Sequence, residues 1–502
     1  MQLDARQPLL AAGIIGTGII ISILICYRIT KSWQRSSYIT FLLLVYIFAE
    51  GHFVRVLESY LWHTLSGIDL LVFLFFWTLA FVFLTTNWVW KKIMGIPQFN
   101  LFMTFVMTCT LVAPTLYVGK KVINEIQNTK PNSISPYSID KTLVLSGDQK
   151  KDIYIIILDS YGGRDVLRQL YDMDNSSFLT ALEQRGFFIA DDSRSNYVQT
   201  TLSIGSLMNF DYVSTWDPPT SVHEYHDFLQ KIITENNLTT RLKKLGYQIV
   251  SFDSGYFLTG MPESDLIYSK FLYLNPFESI LLSSTPLLIA NHFQALPLPL
   301  QDYVTHSDRV LYTFDKLGSL PTSDRPRLIS VHILSPHPPF VFQEDGTRID
   351  PPRPFETLDA DQYLGTTEEY INGYRNQVAY INGLVLKSID GIINNSKAPP
   401  IIVIIGDHGP GSQFHWDPAQ MSCLWERTSI LTAILLPNES SGLYPSISPV
   451  NIFRVILNQY FGTGLPILKD RSYYSTDQNL GIILDVTTER DDRTGCSFNP
   501  FN

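Results

Sequence analysis

Two short segments of the sequence carry residues whose types and spacing suit a metal ion. The segment LDSYGGRD places Asp159 directly after an apolar run, and IIGDHGPG places Asp407 and His408 after another apolar run, between glycines. A carboxylate beside an imidazole suits zinc, manganese or magnesium. These residues predict a site for one divalent metal ion, with helix capping as the alternative role for Asp159.

Two further segments carry hydroxyl and imidazole side chains that suit an anionic substrate. In SNYVQTTLSIGSLMN, Thr200 and Thr201 stand at the start of a helical pattern, where free N–H groups and the helix dipole favour negative charge. The alternative is an ordinary N-cap threonine. In HILSPHPPF, His332 lies inside a strand pattern and is interpreted as a buried histidine satisfied by backbone. His337 lies beyond that strand and is placed to bind a phosphoryl oxygen or protonate a leaving group.

Alternating strand and helix patterns must position these side chains. Continuous apolar runs predict buried strands at Asp152–Leu158, Tyr247–Phe252, Arg327–Leu334, Ile401–Ile405 and Ser429–Leu436. Helical patterns run from Asn175 or Ser176 to Arg185, from Thr366 to Asn395, and from Pro449 to Tyr460. This alternation predicts an α/β fold, a mostly parallel sheet with helices on both faces. Ligands bind such sheets beyond the carboxyl ends of the strands, where Asp159, His337 and Asp407 fall.

The N-terminal part of the chain has the composition of a membrane segment. Four apolar stretches approach the roughly 20 residues that a transmembrane helix needs: Leu9–Tyr27, Tyr38–Leu57, Leu70–Trp90 and Leu101–Val118. A cleaved signal peptide is the alternative for the first stretch. The second carries Glu50, His52 and Arg55, interpreted as the outer end of the helix, with a lipid-linked substrate site as the alternative.

Basic residues in the short loops predict the orientation of this segment. They cluster between the first two stretches and between the last two, at Arg28, Lys31, Arg35, Lys91 and Lys92. The loop Glu58–Asp69 has none, while Lys120 and Lys121 after the last stretch oppose the trend. The positive-inside rule then places the C-terminal part outside the cytoplasm of a plasma or inner membrane.

Length, charge and cysteine content set further bounds. A chain of 502 residues exceeds one ordinary core, and we expect a transmembrane anchor at 1–118, a linker at 119–150 and a catalytic domain at 151–502. The net charge of -10 excludes nucleic acid as a partner. Cys423 and Cys496 have the opportunity to pair outside the cytoplasm, although spacing alone leaves that pairing open.

The order of these motifs resembles the alkaline phosphatase superfamily in its sulfatase-like branch. Over roughly residues 150–440 the chain is most similar to the membrane-bound branch that includes lipoteichoic acid synthase and the phosphoethanolamine transferases. The resemblance implies an alkaline-phosphatase-like fold and four metal ligands: Asp159, Thr200, Asp407 and His408. It also implies that Thr200 is the nucleophile, that His337 binds substrate or assists the leaving group, and that Arg427, in WERTSI, contacts the anion.

Two departures from related sequences narrow the chemistry. Lipoteichoic acid synthases carry Glu where Asp159 stands, which argues against an identical substrate. Sulfatases form formylglycine in a [CS]-x-P-x-R motif, whereas the run from Thr200 to Ile204 has neither the Pro nor the Arg. Hydrolysis of sulfate esters by the formylglycine mechanism is therefore not expected.

The interpretation that follows is a metal-dependent, membrane-anchored, sulfatase-like enzyme. It is expected to transfer a phospho-group, of the phosphoglycerol or phosphoethanolamine type, to an envelope lipid or glycan through a threonine nucleophile. A phosphodiesterase or phosphatase using the same site is one alternative, and a non-catalytic membrane assembly factor is another. The membrane anchor favours the transferase, because a soluble hydrolase has little need of it.

Overall fold

A computed structural model describes most of the chain outside residues 94–150. The described residues are 6–61, 67–93, 151–216, 222–271, 281–282, 284–287, 302–353, 355–416, 422–437, 442–475, 483–493 and 495–497. They divide into two compact units, one built around the N-terminal helices and one around a large sheet. The predicted span Leu101–Val118 and the linker 119–150 lie outside the described residues.

The N-terminal unit contains apolar helices. The helices are α1 Arg6–Thr30, α2 Trp33–Leu61, α3 Gly67–Leu84 and α4 Asn87–Ile93. By length and composition, Gly13–Thr30 and Trp33–Val54 are able to cross a membrane, whereas the apolar stretch Asp69–Leu84 is shorter. The described residues therefore support two spans, and the expected four are not all present among them.

The predicted third span, Leu70–Trp90, is wrong in its extent. Helix α3 ends at Leu84, and two threonines separate it from α4. The Thr85 hydroxyl donates to the Val82 carbonyl at 2.7 Å, and the Thr86 N–H donates to Phe83 three residues back. Such local hydrogen bonds compete with the regular helical pattern, which explains the break between the two apolar helices.

A mixed sheet of seven strands organises the second unit. Its strands are β1 Ile153–Leu158, β2 Phe188–Ile189, β3 Gln248–Phe252, β4 Leu266–Tyr268, β5 Arg327–Ile333, β6 Ile401–Ile405 and β7 Thr432–Leu435. The spatial order is β2-β7-β6-β1-β5-β3-β4. Strands β6, β1, β5, β3 and β4 pair in parallel, and β7 pairs antiparallel with β6 and β2. A separate hairpin pairs β8 Tyr473–Ser475 with β9 Ile483–Asp485.

Helices cover both faces of this sheet, as the sequence predicts. They are α5 Arg164–Leu170, α6 Ser176–Glu183, α7 Thr200–Asn209, α8 Val222–Thr234, α9 Asn237–Lys244, α10 Tyr303–Gly318, α11 Thr367–Asn395, α12 Leu424–Thr428 and α13 Pro449–Phe461. In β1, Ile153 and Ile155 pack with α7, α8, α9 and α13, while Tyr154 and Ile156 pack with α5, α6, α10 and α11. Successive strand residues point to opposite faces, so one apolar run serves both cores.

Local sequence explains where several of these helices begin. Thr366 caps α11 through a capping box, in which its hydroxyl accepts from the Glu369 N–H at 3.1 Å and Glu369 accepts from the Thr366 N–H at 2.8 Å. Pro449 opens α13 at a position where a missing N–H costs nothing. At α6, Asn175 occupies the N-cap position, but its side chain makes no capping hydrogen bond.

Candidate active site

The loops after β1 and β6 bring the two predicted aspartates together. Because β1 and β6 are parallel neighbours, their carboxyl ends lie at the same edge of the sheet. Asp159 follows β1 directly and Asp407 lies two residues beyond β6. Ser160 turns the chain with a left-handed φ of 68°, and its N–H donates to Asp407 Oδ1 at 3.0 Å. One oxygen of Asp407 is thereby held by backbone.

His332 holds one oxygen of Asp159. The register between β1 and β5 pairs Ile157 with His332, and the His332 Nε2–H donates to Asp159 Oδ2 at 3.1 Å. The other ring nitrogen, Nδ1, lies 2.8 Å from the Thr259 hydroxyl oxygen, within hydrogen-bonding distance. The interpretation of His332 as satisfied by backbone is therefore wrong, because both ring nitrogens have side-chain partners.

His408 completes a set of three donor atoms. Its Nδ1–H donates to the Gly409 carbonyl at 2.9 Å, so Nε2 is unprotonated in the neutral ring and offers a lone pair to a cation. Nε2 lies 3.6 Å from Asp159 Oδ1 and 3.5 Å from Asp407 Oδ2. Burial, reinforced by the positive charge of Arg427, lowers the pKa of His408 and favours the neutral ring.

The buried carboxylate oxygens fit a divalent cation. Asp159 Oδ1 and Asp407 Oδ2 are both buried and accept no hydrogen bond from the described residues. Buried polar atoms are normally paired, so two unpaired oxygens facing one imidazole nitrogen require an explanation. The three donor atoms lie within 4.8 Å of one another. Carboxylate oxygen and neutral imidazole nitrogen together suit zinc, manganese or magnesium.

Charge at Asp159 is maintained despite its burial. Burial alone would raise the pKa of the Asp159 carboxyl. The charge of His337 and the hydrogen bond from His332 outweigh that effect and hold this pKa well below its ordinary value. Asp159 is therefore an anionic donor at neutral pH.

Thr200 lies beside this donor set, at the first turn of α7. Gln199 is the N-cap residue, and the Thr200 hydroxyl oxygen is 3.2 Å from His408 Nε2. Thr201 is the next residue in the helix and is only 4% exposed. The Ser203 hydroxyl donates to the Asp407 carbonyl at 2.5 Å and so fastens α7 to the loop after β6. Among the described residues, Thr200 but not Thr201 has its hydroxyl within hydrogen-bonding distance of a metal-donor side chain.

Arg427 and His337 border the same cluster. The Arg427 guanidinium lies 3.4 Å from His408 Nε2, and its Nε–H donates to the Val198 carbonyl at 3.0 Å, in the segment that leads to Thr200. The His337 ring centroid is 6.3 Å from that of His408. The structure thus brings together all six residues that the sequence singled out.

The comparison with known families identifies this domain. Residues 151–426, more than half of the 502-residue chain, match the family described as Sulfatase. The chain belongs to the sulfatase family. It carries a sulfatase-like domain of the alkaline phosphatase superfamily, whose enzymes transfer or hydrolyse phosphoryl or sulfuryl esters. No curated protein matches the chain.

The chain is similar to several solved structures at low sequence identity. The zinc complex of the C-terminal periplasmic domain of EptC from Escherichia coli shares 14% identity, with 71% of this chain and 99% of that chain covered and a TM-score of 0.45. Lipooligosaccharide phosphoethanolamine transferase A from Neisseria meningitidis shares 12% sequence identity. The match covers 85% of this chain and 82% of that chain, with a TM-score of 0.40. Phosphonate monoester hydrolase of Agrobacterium radiobacter shares 12% sequence identity. The match covers 65% of this chain and 80% of that chain, with a TM-score of 0.41.

Asp359 is a residue of this sulfatase-family site that the sequence analysis missed. It is 5% exposed, forms an ion pair with Arg427 and accepts a hydrogen bond from the Tyr370 hydroxyl at 2.7 Å. Its Oδ2 lies 3.8 Å from His337 Nε2. Asp359 precedes α11 in a segment without strand or helix periodicity, so no pattern in the sequence distinguishes it from a surface aspartate.

The carboxylates around His337 determine its protonation. Burial lowers the pKa of His337, but the negative charges of Asp159 and Asp359 outweigh burial and raise it above the ordinary value. The His337 Nδ1–H donates to the Pro338 carbonyl at 2.5 Å, which leaves Nε2 to hold or release a proton. This ring is suited to act as a proton donor.

A disulfide lies next to the helix that carries Arg427. Cys423 and Cys496 are bonded, with their Cα atoms 4.8 Å apart. Cys423 is the N-cap residue of α12, and Arg427 is in that helix. The pairing that the sequence left open is therefore made, and it ties the C-terminal segment to the active-site wall.

Proposed function

We propose that this chain is a membrane-anchored transferase that moves a phospho-group, of the phosphoglycerol or phosphoethanolamine type, to an envelope lipid or glycan. The observation that carries the proposal is the position of the Thr200 hydroxyl, 3.2 Å from His408 Nε2 at the first turn of α7. A threonine in the nucleophile position, without the Pro and Arg of the formylglycine motif, suits phosphoryl rather than sulfate chemistry.

The metal ligands in this proposal are Asp159, Thr200, Asp407 and His408, around one zinc, manganese or magnesium ion. Support comes from the two unpaired carboxylate oxygens and the unprotonated His408 Nε2, which lie close together. When bound, such an ion supplies Lewis-acid stabilisation of phosphoryl oxygens and lowers the pKa of an adjacent hydroxyl.

Thr200 performs the first displacement. Its Oγ1, whose proton would pass to bulk water when the ion lowers its pKa, forms a bond to phosphorus as the bond from phosphorus to the donor's ester oxygen breaks. His337 gives its proton to that leaving oxygen, which fits a pKa raised by the carboxylates around it. The free N–H groups at the start of α7 and the Arg427 guanidinium stabilise the charge on the phosphoryl oxygens.

A second displacement completes the transfer. An acceptor hydroxyl gives its proton to His337 and bonds to phosphorus, while the bond from phosphorus to Thr200 Oγ1 breaks. The phospho-group leaves on the acceptor, and Thr200 and His337 return to their starting states. If water takes the acceptor's place, the same steps give hydrolysis.

The proposed location is the outer face of a plasma or inner membrane. Helices α1 and α2 contain two stretches long and apolar enough to cross a bilayer. The Cys423–Cys496 disulfide fits an oxidising compartment, since such bonds are rare in the cytoplasm. A reporter fused after Asn502 tests this: alkaline phosphatase should be active there and a cytoplasmic fluorescent protein dark. The reverse result would contradict both the orientation and an envelope substrate.

Alanine substitutions of Thr200 and Thr201 test which residue is the nucleophile. Thr200→Ala should lower turnover by on the order of 10³-fold or more, because it removes the attacking oxygen. Thr201→Ala is the matched control and should retain most activity. The substrates are fluorescent phosphatidylglycerol and phosphatidylethanolamine, and intact-protein mass spectrometry should find a phospho-adduct in the wild type and not in Thr200→Ala. An adduct on Thr201, or one that persists in Thr200→Ala, would refute the assignment.

The same assay separates transfer from hydrolysis. With an added glycan or lipid acceptor, a transferase forms a labelled acceptor faster than it releases the free phospho-group. Equal release with and without acceptor would identify a hydrolase and leave the site assignments intact.

A further inference from the structure

A cavity of about 760 Å³ lies beside α11, separate from the metal-donor set. One face of α11 forms much of its wall, with Asn372, Arg375, Ala379, Asn382 and Leu386 at helical spacing. The start of α6 and the loop before it form another wall. None of the six residues at the proposed active site lines this cavity.

One wall of the cavity includes a buried amide, that of Asn175. Asn175 is 3% exposed and lines the cavity, yet neither its amide nitrogen nor its oxygen has a hydrogen-bond partner among the described residues. The neighbouring Tyr161 hydroxyl donates to Asn382 at 2.8 Å instead. The amide atoms are shielded from solvent, so a ligand in the cavity is bound by the more exposed polar groups around it.

Four amides and four charged side chains make up most of the polar lining. Asparagines 175, 372, 376 and 382 line the cavity, and each amide offers both donors and acceptors. The Asn376 amide nitrogen donates to Gln343 at 2.8 Å, which fixes its orientation. Phe178 and Leu386 add apolar surface. Amides over an apolar floor match the hydroxyls and C–H faces of a sugar ring.

The charges at this cavity argue against an anionic ligand. Arg375 makes no ion pair or hydrogen bond with any residue that the structure describes, so its donors are available. Against this one cation stand three carboxylates, those of Asp172, Asp174 and Glu344. A phosphate or carboxylate would meet net repulsion there, whereas an uncharged polyol would not.

We propose that this cavity binds a neutral oligosaccharide of two or three rings. Its volume falls in the range of about 300–1,000 Å³ that is typical of small-molecule sites. Asn372 and Arg375, which are more exposed than Asn175, would bind ring hydroxyls. The assignment rests on this cavity alone and does not depend on the proposed phospho-transfer.

The direct test is oligosaccharide binding by the full chain in a sugar-free detergent. Maltotriose, cellotriose, mannotriose and chitotriose are offered separately, and binding is measured by calorimetry and saturation-transfer NMR. At least one should bind, and Asn372→Ala and Arg375→Ala should each weaken that ligand by about fivefold, as the loss of one hydrogen bond predicts. Lys387→Ala and Asn394→Ala, on exposed parts of the same helix, are the controls.

Gly383 provides a second, steric test. It lines the cavity, and a Cβ added there meets no atom within 4 Å. Gly383→Trp should fill the cavity and abolish binding, while Gly383→Ala, which adds only a methyl group, should leave it unchanged. Equal thermal unfolding of the two variants shows that both are folded.

Three results would overturn the proposal. One is that none of the four trisaccharides binds. Another is that binding survives Gly383→Trp, since the sugar would then lie elsewhere. The third is that glycerol 3-phosphate binds in an Arg375-dependent manner and is blocked by Gly383→Trp, which would make the cavity an anion site.

Discussion

Replacing Asp407 with asparagine should separate the stability of the domain from its ability to bind metal. In the metal-free protein, Asp407 Oδ2 and Asp159 Oδ1 are buried, unpaired and within 4.8 Å of each other. At that separation, two full charges repel by about 3.5 kcal/mol for an effective dielectric constant of 20. An asparagine Nδ2 at the Oδ2 position would instead donate toward Asp159 Oδ1 and His408 Nε2.

The expected gain in metal-free stability is about 1–3 kcal/mol, the usual cost of an unsatisfied buried polar group. For a domain of this size, that corresponds to an increase in Tm of roughly 2–6 °C. The Ser160 N–H still finds an acceptor, because the side-chain carbonyl oxygen of the introduced asparagine takes the place of Asp407 Oδ1. Metal binding should be severely weakened, because the site loses an anionic donor.

Differential scanning fluorimetry measures both effects. Thermal unfolding of wild type and of Asp407→Asn is measured first in chelator. It is measured again with zinc, manganese or magnesium at about 1,000 times the wild-type Kd. The wild type should gain about 4 kcal/mol from the metal, and the variant almost nothing. Asp152→Asn is the matched control: it weakens the ion pair between Asp152 and Arg327, so it should lower Tm equally with and without metal.

The reasoning is refuted if metal-free Asp407→Asn is less stable than metal-free wild type. It is also refuted if the variant keeps the full metal-induced increase in Tm. The first result would mean that the carboxylates are not in conflict, and the second that Asp407 is not a ligand.

Three other residues give further expectations. Burial raises the pKa of Glu426 to about 7, so the native state holds a proton that the unfolded chain releases near pH 4.5. Wild-type stability should therefore fall between pH 4.5 and 7 by roughly 3 kcal/mol more than that of Glu426→Gln, measured by urea unfolding. Asp359→Asn should destabilise the domain by roughly 3–5 kcal/mol and lower turnover, because Arg427 is 1% exposed and loses its charge partner; unchanged urea midpoint and turnover would argue against this role. Cys423→Ser should cost about 2–4 kcal/mol, whereas Cys26→Ser, at a free thiol, should cost little.

Buried strands were the elements that the sequence predicted best. The run from Ile153 to Leu158 is apolar at every position because both faces of β1 are covered, and such a run has few alternatives. Strand direction was not predictable in the same way. Strand β7 is as apolar as its neighbours but runs antiparallel to β6, and composition does not encode that choice.

Side-chain partners at the site were harder to predict than positions. Asp159, Asp407 and His408 stand at strand ends, so topology alone brings them together. The role of His332 depends on its register against β1, which only the assembled sheet defines. The contacts of Asp359 with Arg427 and His337 depend on the path of an irregular loop. Contacts set by register or by loop path leave no periodic signal in the chain.

The central position of β1 has a consequence for how the domain is made. Its two neighbours are β5 and β6, so Ile153 pairs with Leu328 on one side and Ile401 on the other. At synthesis rates of about 5–20 residues per second, β1 waits roughly 10–50 s before its second neighbour exists. During that interval an apolar segment with unpaired edges is exposed, a condition that promotes aggregation. Folding of this domain is therefore expected to wait for synthesis of β6, and the nascent chain should need chaperone protection until Ile405 has emerged.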